Sequence, residues 1–153
     1  MITGKNYIGN KLSGNGSKTH KTINPKLNVE SPTAFIEATS EELEEAVSLA
    51  TDAFKIYKNK SGNQRATFIN AIADEILALG DELIKMYSLE SGLPEGRAMG
   101  ERGRTMFQLQ SFAKMIETED WRNNVIDKAI PDREPLPKPD IRKTSIPLGP
   151  VVV

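Results

Sequence analysis

The chain has no cysteine and a single histidine, His20. The first absence excludes disulfides, thiolate metal ligands and a cysteine nucleophile within these residues. The second removes any His cluster for zinc. There is no excess of charge of either sign: 20 Lys and Arg stand against 21 Asp and Glu, a formal net charge of −1. Nucleic-acid binders usually carry a basic excess, so no nucleic-acid partner is expected. No apolar run reaches membrane-spanning length and the first residues lack the apolar stretch of a signal peptide, so the expectation is no membrane partner and a cytoplasmic location.

What is present reads as globular. The chain has 153 residues, the length of one ordinary domain. A complete domain of that size buries roughly 70% of the surface its unfolded chain exposes. Short strands come first. Gly9-Asn10 between Asn6-Tyr7-Ile8 and Lys11-Leu12 has the spacing of a two-residue hairpin. Asn15-Gly16 is a second turn signal, and strands are expected at Lys21 to Asn24 and Thr33 to Glu37, with Pro32 at a strand edge.

Four helices are expected next. Thr39-Ser40-Glu41-Glu42 is a capping box, followed by Leu43, Ala46, Val47, Ala50 and Phe54 on one face. The cluster Glu41, Glu42, Glu44 and Glu45 is read as dipole compensation on a solvated first turn, ahead of any catalytic or calcium-binding role. Ser61 to Gln64 repeats the capping pattern ahead of the stripe Phe68, Ile69, Ile72, Ala73, Ile76 and Leu79, with Gly80 as a left-handed exit. Asp81 is expected to cap a third helix ending at Gly92, and Pro94 to sit in the first turn of a fourth running to about Glu117. Gly96, Gly100 and Gly103 match neither a dinucleotide fingerprint nor a phosphate loop, so close backbone packing is the reading preferred. Arg97, Glu101, Arg102 and Arg104 are expected to pair along an exposed face, and Trp121 to pack rather than to bind.

Four prolines between Pro131 and Pro139 exclude helix and indicate an extended connector, flanked by strands at Val125 to Ile130 and Ile141 to Ile146. Pro147 to Val153 reads as a turn followed by the start of a buried strand, which the sequence leaves unfinished; a truncation is expected. No Ser-His-Asp set, placed carboxylate pair or metal spacing is visible, so no catalytic, cofactor-binding or metal-ligating residue is assigned. On the residues alone the reading stops at a helix-rich domain with an N-terminal hairpin and a missing partner.

Several segments, in order, resemble the aldehyde dehydrogenase superfamily. They are Asn6 to Asn10, Asn24-Pro25, the helix from Leu43 to Tyr57, Ala71 to Ile76, Leu89 to Pro94, and Ile146 to Val153. Within that family, Glu90 to Thr105 looks most like the 2,5-dioxovalerate (α-ketoglutaric semialdehyde) dehydrogenases. The resemblance implies an α/β, three-layer αβα fold. Residues 1–123 would be the N-terminal part of the cofactor-binding domain, 124–147 an extended oligomerisation arm, and 148–153 the start of a sheet strand. It further implies an enzyme oxidising an aldehyde to an acid through a cysteine thiohemiacetal, with NADP or NAD as acceptor, assembled as a homo-oligomer, dimer or tetramer. The family's asparagine, cysteine and glutamate would follow Val153, so these residues by themselves are expected to be inactive and not self-sufficient as a fold. A non-enzymatic helical interaction module is the alternative.

Overall fold

The computed structural model describes residues 2–118 and 120–153. Its first element is the expected hairpin: β1 (Asn6–Ile8) pairs antiparallel with β2 (Lys11–Ser13), Ile8 opposite Lys11. Asn15-Gly16 lies in the loop that carries the chain to β3 (Thr19–Asn24). β3 pairs antiparallel with β4 (Val29–Ile36). Both strands are longer than expected. Between Lys21↔Ala34 and Ile23↔Glu30, β3 has one residue where β4 has three, so β4 bulges at Ser31, Pro32 and Thr33. Pro32, which has no N–H to offer a ladder, therefore sits at an irregularity inside the strand. The Asn24 side chain accepts from the Lys26 and Leu27 amides at 2.9 and 3.2 Å and shapes the turn.

Helix α1 (Ser40–Tyr57) and helix α2 (Gly62–Ala78) each begin with a complete capping box, Thr39 with Glu42 and Ser61 with Gln64. Gly80 adopts φ +56° and opens α3 (Gly80–Ser91); Gly92 closes it at φ +72°. L side chains rarely adopt that region, so glycine suits both corners. The N-cap of α3 is Leu79 with no side-chain cap, not Asp81, because the chain reverses at Gly80 and leaves Asp81 inside the first turn. Pro94 is the N-cap of α4 (Glu95–Glu117), one residue earlier than expected.

The helical layer is held by small residues. Gly62, Ala66 and Ala73 on α2 are buried, as are Ala98 and Ala113 on α4. A Cβ on Gly62 would collide with the Ile116 carbonyl, so the start of α2 lies against the end of α4 with no room for a side chain. Ile84 of α3 is the larger buried side chain of this layer. The expected stripes split accordingly. Ala73 points inward, whereas Phe68, Ile72 and Leu79 of α2 and Leu43 and Val47 of α1 are exposed. Glycines 96, 100 and 103 face open space, which overturns the close-packing reading within this chain; the tight approaches belong to Gly4, Gly16 and Gly62.

After a short 3-10 turn (Asp120–Arg122), β5 (Val125–Asp127) and β6 (Ile141–Lys143) pair antiparallel, both shorter than expected. The proline segment between them is not a straight connector. Ile130 and Lys138 exchange two backbone hydrogen bonds of 3.0 Å, and Arg133 Nε donates to the Leu136 carbonyl at 2.9 Å, folding the segment into a closed loop. Residues 144–153 join no strand among the described residues, and Val152 is 95% exposed. The accessible surface totals 12001 Å². A folded monomer of this mass exposes about 7,700 Å², so much apolar surface here has no cover.

Candidate functional site

The most constructed polar site joins the N-terminal hairpin to α1. Glu42 is 2% exposed although it stands in the first turn of a helix. The Ser13 hydroxyl donates to its Oε1. The Asn15 amide donates to the same oxygen at 3.1 Å, and the Thr39 amide donates to Oε2 at 2.9 Å. Two segments distant in sequence, the Ser13–Asn15 loop and the start of α1, thus converge on one carboxylate. These bonds, the Ser13 hydroxyl first and then the Thr39 and Asn15 amides, hold the Glu42 carboxyl below the usual carboxylate range against the opposing effect of burial. The reading of the glutamate cluster as solvated is therefore corrected for Glu42, while Glu41, Glu44 and Glu45 remain exposed. Its helix-capping half was legible in the sequence; Ser13 and Asn15 lie 29 and 27 residues away and gave no local signal.

Glu42 fastens the hairpin loop to α1 by accepting from the Ser13 hydroxyl and two backbone amides. His20 stacks on Phe35 at 5.8 Å between ring centres on the β3–β4 hairpin. The Arg65 and Arg122 guanidinium groups lie 5.9 and 5.6 Å from the centre of the Trp121 ring, which remains partly exposed. Arg97 and Arg104 pair with Glu101. Arg102 departs from that pattern and donates to the Gly80 carbonyl at 3.0 Å, tying α4 to the α2–α3 corner.

No group of three His, Asp or Glu side chains among the described residues is arranged to hold a metal ion. Nor do the α4 glycines form a dinucleotide loop: Gly100 and Gly103 lie past the first turn of α4, where N–H groups are engaged by carbonyls one turn back. An open groove of about 380 Å³ lies between the end of α1 and α2, lined by Tyr57, Lys60, Gln64, Thr67 and Phe68. No helix among the described residues is long and apolar enough to cross a membrane. Exposed apolar side chains, Phe68 and Phe107 among them, stand on the outer faces of the helices.

That architecture, mixed helix and strand laid out as one part of a larger fold, has a match. Residues 12–153 fit the aldehyde dehydrogenase family, and the chain belongs to it. Among curated relatives it is 41% identical over 155 aligned residues to alpha-ketoglutaric semialdehyde dehydrogenase 2 of Azospirillum brasilense, covering 100% of this chain and 29% of that protein. It is 36% identical over 150 residues to alpha-ketoglutaric semialdehyde dehydrogenase of Acinetobacter baylyi, covering 98% of this chain and 28% of that one. The fold resembles betaine aldehyde dehydrogenase of Staphylococcus aureus, with a TM-score of 0.74 at 21% identity over 86% of this chain and 27% of that one. It also resembles an NAD-dependent benzaldehyde dehydrogenase of Corynebacterium glutamicum, with a TM-score of 0.73 at 18% identity over 85% of this chain and 28% of that one. The chain thus spans under a third of the length of the relatives it matches.

Proposed function

We propose that this chain is the N-terminal scaffold of an NAD(P)-dependent aldehyde dehydrogenase whose substrate is a small acidic semialdehyde, 2,5-dioxovalerate in the first instance. The observation that carries the proposal is the 41% identity, along the whole chain, to an alpha-ketoglutaric semialdehyde dehydrogenase. Support from the fold is independent of substrate: the solved proteins it resembles oxidise aldehydes of quite different side chain. Oxidation of an aldehyde through a thiohemiacetal requires a thiolate, and this chain has no cysteine. The reacting thiolate of this reading therefore comes from polypeptide other than these 153 residues, which form the hairpin and the helical layer.

The proposal includes homo-oligomeric assembly, dimer or tetramer, with residues 124–147 as the arm. In support, Val125, Ile126 and Ile141 are exposed on a two-stranded ribbon with free edges. To test the substrate, the full-length enzyme is assayed with 2,5-dioxovalerate, succinic semialdehyde and a neutral aldehyde of similar length, each with NAD and with NADP. The acidic substrates should give the higher kcat/KM. Equal or better use of the neutral aldehyde would refute the acidic-substrate reading while leaving the family intact.

A further inference from the structure

We propose that Asn15 is a site of spontaneous deamidation whose product loosens the fastening of the N-terminal hairpin to α1. This goes beyond the dehydrogenase reading and does not depend on it.

The reaction needs an Asn side chain within reach of the next residue's backbone nitrogen, and a next residue that does not obstruct the attack. Asn15-Gly16 is the one Asn-Gly pair in the sequence. Asn15 is exposed, in the loop between β2 and β3. Its side chain is held only by a long 3.4 Å bond from Nδ2 to the Ser13 hydroxyl. The Gly16 N–H donates to no acceptor among the described residues. Its nitrogen attacks Cγ of Asn15, the N–Cγ bond forms, and ammonia leaves. Solvent water then opens the cyclic imide at either carbonyl, giving aspartate or isoaspartate; one water is consumed for each ammonia released, with no oxidant or reductant.

Position gives the event its consequence. The Asn15 backbone amide donates to Glu42, and Asn15 Nδ2 shares the Ser13 hydroxyl oxygen that itself donates to Glu42. A serine hydroxyl has one proton to donate. After deamidation the Nδ2 donor is gone, and a second carboxylate competes for that proton beside the first. The isoaspartate product also lengthens the main chain by one atom beside Gly16, where the Glu37 carbonyl leaves no room even for a Cβ. Both products therefore act against the same clasp.

The full-length enzyme is aged in mildly alkaline buffer alongside an unstructured peptide of residues 11–20. Peptide mass mapping and isoaspartate-specific methylation then locate the change, and hydrogen exchange follows residues 6–16. The expected result is conversion of Asn15, absent in Asn15→Gln, with faster exchange at residues 6–16 and unchanged exchange in α2. Asn15→Asp should reproduce the faster exchange without ageing. If that variant fails to fold, the aged wild-type protein still reads out both parts. Asn15 remaining intact while the peptide converts would overturn the site. Conversion with unaltered exchange at residues 6–16 would overturn the coupling.

Discussion

Glu42 shows how much one side chain in a first turn can do. A carboxylate that accepts from Ser13, Asn15 and Thr39 is favoured in its charged form. Its folded-state pKa is depressed, so its contribution to stability is present above the unfolded-state pKa and is lost as the pH falls through the folded one. Hairpin protection at residues 6–16 should therefore decline on acidification, after correction for intrinsic exchange. Glu42→Gln should start from lower protection and show a flatter acid dependence; an unchanged acid profile in that variant would place the titration elsewhere. The cap itself is separable. Thr39→Ala removes the side-chain acceptor for the Glu42 amide and should cost about 1 kcal/mol, lowering the melting temperature by roughly 2–4 °C if the cooperative unit is 150–250 residues.

At the scale of elements, the contrast between Gly62 and the α4 glycines gives paired expectations. Gly62→Ala drives a Cβ into the Ile116 carbonyl and should destabilise the α2–α4 contact by about 1–3 kcal/mol. Gly100→Ala meets nothing within 4 Å and should stabilise α4 by about 0.5–1 kcal/mol through helix propensity. Thermal denaturation of both variants checks the pair, and a destabilising Gly100→Ala would mean that α4 is packed on that side in the assembled enzyme. These elements also mark what the sequence discloses. Both capping boxes and the Gly80 and Gly92 corners were legible because their partners lie within a turn. The β4 bulge, the buried face of α2 and the folding back of Pro131 to Pro139 depend on partners distant in sequence or on local backbone reversal, and the apolar pattern alone did not place them. No catalytic, cofactor-binding or metal-ligating residue was assigned from sequence, and the convergence of Ser13 and Asn15 on Glu42 had no local signal to announce it.

On the scale of the molecule, the governing fact is uncovered apolar surface. Phe107 is 70% exposed, and Phe68, Phe112, Ile126, Leu148 and Val151 to Val153 are exposed with it. Apolar surface contributes about 25 cal/mol per Å² when removed from water, and contiguous exposed patches mark contact surfaces. The family relationship supplies a reason, since the chain spans 29% of its Azospirillum relative. We expect the open faces of α1, α2 and α4 and the exposed apolar tail to be covered in the complete enzyme. The 153-residue chain alone should accordingly associate or unfold with poor cooperativity, which light scattering and urea titration would register; a monodisperse monomer with an m-value normal for its length would contradict that. The central claim is that these residues scaffold an aldehyde dehydrogenase and contain none of its reacting groups. The most direct measurement is the formation of reduced nicotinamide cofactor from 2,5-dioxovalerate by the 153-residue chain and by the full-length enzyme, at equal molar concentration. The account predicts turnover by the full-length enzyme and none by the chain alone; turnover by the chain alone, or none by a folded full-length enzyme with any aldehyde, would contradict it.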